Sequence, residues 1–136
     1  MILFIIGAAV FCVLGLSHGA LTIRDLSRPT SFTPTDESVR RVMAESPLRF
    51  APQTTIWLAW LGFNLSHSLG LLTFGGVLIL LAVSDYSIVS SSLALRGLSI
   101  SVAAVYMVLA MRFWFWAPAV GSGLGVLCFV ASALLG

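Results

Sequence analysis

Between Arg49 and Asp85 the chain carries no Asp, Glu, Lys or Arg. A run of that length reads as a membrane-spanning helix, because about 20 apolar residues cross the hydrocarbon core. Yet Asn64, Ser66, His67 and Ser68 sit near its middle. Polar groups are costly in lipid, so these side chains are expected to face other helices or a small wet cavity. At helical periodicity Trp57, Trp60, Asn64, His67, Leu71, Phe74 and Leu78 fall along one stripe. Asn64 and His67 are i and i+3 neighbours, and the amide is placed to fix which imidazole nitrogen carries the proton. A second stripe holds Gly62, Ser66 and Gly70, whose small-xxx-small spacing lets another helix backbone approach closely. Two readings stand for Asn64 and His67. They either hydrogen-bond neighbouring helices, or they form a ligand, proton or cofactor site.

Composition agrees with a membrane setting. The 136 residues are 59% hydrophobic and 9% charged, with mean hydropathy +1.06; soluble domains carry roughly 25% charged residues. A net charge of +2 is too small to suggest nucleic acid as a partner. The expected fold is all-α: a polytopic four-transmembrane-helix bundle forming one domain over 1–136. Its spans are expected at about 1–23, 54–83, 93–111 and 116–135, with a polar loop at 24–53. Cys12 and Cys128 both fall in spans and read as small packing residues, not as a disulfide or zinc motif.

The first span opens without a basic n-region, which favours a retained helix over a cleaved signal. Gly15 and Gly19 form a small-xxx-small pair, and His18 beside them reads as an interfacial histidine. In the loop, Thr33 is expected to cap a short amphipathic surface helix over Pro34–Ser46, with Pro34 at its first position. Arg40 and Arg41 on that helix would meet lipid headgroups or simply water. Thr54 or Thr55 can cap the second span. Asp85 is placed to pair with Arg96, across a serine-rich connector. Arg96 and Arg112 bracket the third span and can snorkel to opposite surfaces. An aromatic turn with Trp114 and Trp116 leads to the fourth span, where Gly121 and Gly125 repeat the four-residue spacing.

With four spans, the long loop and the 112–117 turn share one side, which holds every arginine except Arg96. The positive-inside rule makes that side cytoplasmic and both termini external. Trp57, Trp60, Trp114 and Trp116 all fall near the same boundary, as an aromatic belt would. Arg112 with Trp114, Trp57 and Trp60 could instead line a headgroup or quinone pocket there.

The chain repeats Leu16-Ser17-His18-Gly19 as Leu65-Ser66-His67-Ser68. Counted from Ile23 and Thr54, His18 lies ~7.5 Å and His67 ~20 Å from the same surface, so shared haem ligation is not expected. Two histidines without a nearby carboxylate make no metal site. No cofactor is expected. No Ser-His-acid set, P-loop or dinucleotide fingerprint is present, and the reading leans away from an enzyme.

Arg24-Asp25, Arg28-Pro29, Phe32-Thr33-Pro34, Thr55, Trp57 and the run Ala59-Trp60-Leu61-Gly62-Phe63-Asn64-Leu65-Ser66-His67-Ser68-Leu69-Gly70 resemble a family of small four-span bacterial inner-membrane proteins. The likeness covers roughly the first half to two thirds of the chain, and its specific part is Gly-Phe-Asn-Leu-Ser-His-Ser. It implies a bacterial inner-membrane location and points to Asn64 and His67 without giving them a role. The expected function is a non-enzymatic accessory or structural subunit that packs against other membrane proteins or itself. The first alternative is a lipid, quinone or other hydrophobic ligand bound by Asn64, His67, Trp60, Trp57 and His18. The second is an oligomeric transporter or channel component.

Overall fold

The computed structural model describes residues 1–135. Its order is α1 (Ile2–Ser27), α2 (Glu37–Glu45), β1 (Pro47–Leu48), β2 (Ala51–Thr55), α3 (Ile56–Ser84), α4 (Tyr86–Ser91), α5 (Leu93–Phe113) and α6 (Trp116–Leu135). Among these, α1, α3, α5 and α6 are long and apolar enough to cross a membrane. The fold is therefore all-α and multi-pass, with a short helix between the first two spans. Backbone contacts divide the chain into two compact units, Gly15–Gly70 and the remainder. Both α1 and α3 run through the two.

The first unit holds Met1–Leu14 and the chain from Leu71 onward. Its helices each bury a single seam. On α3 the seam is Leu71, Gly75, Leu78 and Ala82; on α6 it is Ser122, Gly125, Phe129 and Ser132; on α5, Ser99, Ala103 and Ala110. Alternating steps of three and four are what two nearly aligned helices require to keep one face in contact. Phe4, Ala8 and Phe11 fill the centre with Phe129. The Phe11 ring meets Phe74 edge-on at 4.9 Å and lies 5.8 Å from Tyr106. In lipid no hydrophobic drive separates helix from solvent, so close packing must hold such a core. Glycines supply it. A Cβ on Gly7 would lie 3.0 Å from Cys128 Cβ, and one on Gly121 would lie 3.1 Å from Leu14.

Buried hydroxyls in this unit are hydrogen-bonded, two of them to carbonyls of their own helices. Ser99 donates to the Leu95 carbonyl at 2.8 Å and Ser122 to that of Pro118 at 2.6 Å. Ser132 shares a 2.8 Å hydrogen bond with Tyr86. Asp85 does not pair with Arg96. It caps α4 by accepting from the Ser87 amide, while Arg96 donates to the Ala133 carbonyl at 3.3 Å. That carbonyl is one of the last in α6, where unpaired acceptors and the negative dipole end attract a cation. The serine-rich connector is helical as α4, and Ser92 both ends it and caps α5.

In the loop, Asp36 rather than Thr33 caps α2, and Pro34 lies outside the helix. The reason is that residues 30–33 are drawn back onto Asp25, as described below. Hydrogen bonds from Ser38 hold the Asp36 carboxyl below its ordinary range. A β-hairpin follows that the sequence did not announce, because a two-residue β1 is too short to show alternation.

Candidate functional site

All five candidate ligand residues lie in the Gly15–Gly70 unit. Within it the second half of α1 packs on the first half of α3. Gly19 permits the approach, since a Cβ there would lie 3.3 Å from Ser68 Cβ. Gly15 is buried as well. The buried face of α3 here is Trp57, Leu61, Asn64 and Ser68.

Asn64 is fully buried and both ends of its amide are used. Its Nδ2 donates to the Trp60 carbonyl at 2.8 Å, one turn back on the same helix. That contact fixes the amide's orientation, so Oδ1 must be the atom 2.9 Å from His18 Nε2. His18 therefore donates from Nε2. The expected tautomer control exists, but Asn64 exerts it on His18 and not on its helical neighbour His67. The His18 backbone is also engaged: buried Thr22 donates to its carbonyl at 2.9 Å. Ser68 similarly donates to the Asn64 carbonyl at 2.9 Å.

His67 does reach His18, through ring contact. Their centroids are 5.1 Å apart at 75°, an edge-to-face arrangement. Phe63, one turn earlier, stacks on His67 at 6.4 Å. The two histidines of the repeated Leu-Ser-His pattern thus meet, and the difference in depth expected between them is not found. The helix ends explain it. α1 continues past Arg24 to Ser27, and α3 starts at Ile56, so His18 and His67 lie ~13.5 Å and ~16.5 Å from those ends. Of the two rings, that of His18 has its Nε2 committed to Asn64.

Sequence reading missed the residues that cover this pair. Asp25 is 1% exposed and accepts three successive backbone N–H groups: Thr30 at 2.9 Å, Ser31 at 2.9 Å and Phe32 at 2.7 Å. Arg24 reaches the Thr30 hydroxyl at 2.7 Å. The loop is thereby folded back over the helix end. Phe32 then lays its ring 4.4 Å from that of His18 and accepts at its carbonyl from Trp60 Nε1 at 2.8 Å. One signal was available. An acid in the last turn of a helix opposes the dipole there and needs N–H donors of its own.

The remaining candidates are divided. Trp57 is buried, and the Trp60 indole N–H is spent on the Phe32 carbonyl. Trp116 is 76% exposed and the Arg112 guanidinium stands 5.5 Å over the Phe113 ring; Trp114 is half-buried. Arg40 pairs with Glu37 on α2, and Arg41 is exposed. Gly125 packs on Phe11 as a close-contact glycine should. Gly62, Ser66 and Gly70 are all exposed, and among the described residues a Cβ on Gly62 would meet nothing within 4 Å. Internal helix contact is made instead through the Asn64 seam, half a turn away.

Chemically, the cluster offers one oriented imidazole donor, a second imidazole beside it and aromatic walls. The Asp25 carboxylate is committed to backbone amides. Among the described residues no three His, Cys, Asp or Glu side chains gather in a group that could hold a metal ion. Replacing Asn64 by Leu is expected to cost about 1–2 kcal/mol, at the upper end for hydrogen bonds between membrane helices. Unfolding in bicelles measures this. Nitrogen NMR of His18 should pass from one fixed tautomer to a mixture.

Comparison of the chain with protein-family models, with curated proteins and with solved structures finds no match.

Proposed function

We propose that this is a non-enzymatic accessory or structural subunit that associates with other membrane helices through the outward face of α3. The observation behind the reading is the unused small-residue stripe. Gly7, Gly75, Gly121 and Gly125 are all spent on close contacts inside the chain, whereas Gly62, Ser66 and Gly70 stand open on α3 with Thr73 one step further on. Glycine and hydroxyl side chains gain little from lipid tails, but they allow a second helix to pack closely. The Asn64–His18 lock then serves to hold α3 in one rotation, so that this face is presented. The resemblance noted in the sequence supports a bacterial inner membrane. The arginine count supports a cytoplasmic loop at 24–53 and external termini.

Purification from native membranes into nanodiscs, followed by mass spectrometry, tests the proposal. The expected result is a reproducible protein partner or a homo-oligomer. Gly62→Ile with Gly70→Ile should abolish that association while leaving the melting temperature unchanged. A wild-type chain that is monomeric and alone would refute it.

A second reading is a hydrophobic-ligand site, favoured by the half-buried His67 ring beside His18. A lipid or quinone would then co-purify without a protein partner, and His67→Ala would lose it with the fold intact.

A further inference from the structure

The segment between the first two spans contains an amphipathic helix with nothing buried and a hairpin with an aromatic residue at its tip. No residue of α2 is buried. Val39 and Val42 share one flank and are 47% and 56% exposed. Phe50, in the turn between β1 and β2, is 88% exposed, the highest value among the large apolar side chains. Its neighbour Arg49 is exposed too.

The charges around these apolar groups are unevenly committed. Asp25 is enclosed by backbone amides, Asp36 caps α2, and Glu37 pairs with Arg40. Among the described residues Arg41 and Arg49 form no ion pair, and Glu45 is the one acid of the segment left uncommitted. The outward surface is thus apolar with a cationic surplus.

Its height is set by the chain. β2 ends at Thr55 and α3 begins at Ile56, with no linker. The Ile56 amide donates to the Ser46 carbonyl at 3.0 Å, tying the end of α2 to the same point. Thr55 caps the entry of α3, its hydroxyl accepting from the Leu58 amide at 3.4 Å. α2 therefore ends, and the hairpin has its open end, where a membrane span starts. The hairpin tip is about five residues away, within ~17 Å at strand rise.

We infer that α2 and the β1–β2 hairpin lie on the anionic leaflet of the bilayer that the chain spans, with Phe50 in the headgroup–acyl boundary and Arg41 and Arg49 on lipid phosphates. Exposed Val and Phe gain by entering the boundary, and arginines beside them are attracted to an anionic surface. The segment acts as an interfacial paddle that reads leaflet charge.

The test places an environment-sensitive NBD dye at Phe50→Cys in the full chain, with Cys12→Ala and Cys128→Ala. The labelled protein is put in phosphatidylcholine nanodiscs with or without phosphatidylglycerol. Blue-shifted emission, and quenching by headgroup-nitroxide lipid that is several-fold stronger with phosphatidylglycerol, is expected. Arg41→Gln with Arg49→Gln should remove that increment without changing the melting temperature. A label that stays water-like in both compositions, or equal quenching in both, overturns the inference.

Discussion

Gly75→Ala destabilises the protein by about 1–3 kcal/mol or more, the range for overpacking a filled core. The added methyl would lie 2.5 Å from the Ala8 carbonyl oxygen, 2.7 Å from Cys12 Sγ and 3.0 Å from the Cys12 amide nitrogen. Two of those atoms belong to the α1 backbone, which no rotamer change can move. The segments must separate, and separation strips contacts from Phe11 and Leu78 nearby. Gly76 provides the control. It is the next residue on the same helix, yet a Cβ there meets nothing within 4 Å. Gly76→Ala should leave stability unchanged or raise it slightly, since Ala is the better helix former. Thermal unfolding of both variants in the same nanodiscs gives the comparison. Equal stability of the two would mean that α1 and α3 are not in backbone contact at this level. Gly125→Ala belongs between them: its close neighbour is the Phe11 ring, a side chain with some freedom to yield.

Asp25→Ala is expected to release the loop from the histidine pair. The carboxylate holds three consecutive amides at 2.7–2.9 Å. Hydrogen bonds to a charged acceptor contribute about 1.5–3 kcal/mol each, but the freed amides of a surface loop regain water. A net loss of about 3 kcal/mol is therefore the expected scale. Amide exchange at Thr30, Ser31 and Phe32 should accelerate strongly. Trp60 fluorescence should shift, because its indole N–H loses the Phe32 carbonyl. Asp25→Asn keeps an acceptor without the charge and should fall between. Unaltered exchange in Asp25→Ala would show that the loop is held by other contacts.

The four spans were legible because apolar runs of sufficient length have few other uses. The ends were harder. Arg24 and Asp25 read as the exit of the first span, yet the helix continues through them, since the Asp25 charge is answered by a loop that periodicity cannot reveal. Burial of Asn64 could be read from its stripe. Its partner could not, because a contact 46 positions away depends on how two helices meet. The same limit applies to Gly62, Ser66 and Gly70. Their spacing says that a helix can approach, and only the packed chain shows that, among the described residues, all three are left exposed.

The pairing of Asn64 with His18 also bears on the order in which the chain is made. Ser99 and Ser122 answer their hydroxyls within their own helices, so these two groups need no neighbouring helix. Asn64 satisfies its amide nitrogen inside α3, but its oxygen needs a donor from elsewhere. That donor is on α1, which the ribosome delivers first. When α3 arrives, His18 is already in the membrane to receive it. A circular permutant that delivers α3 before α1 would have to insert Asn64 with its oxygen unanswered.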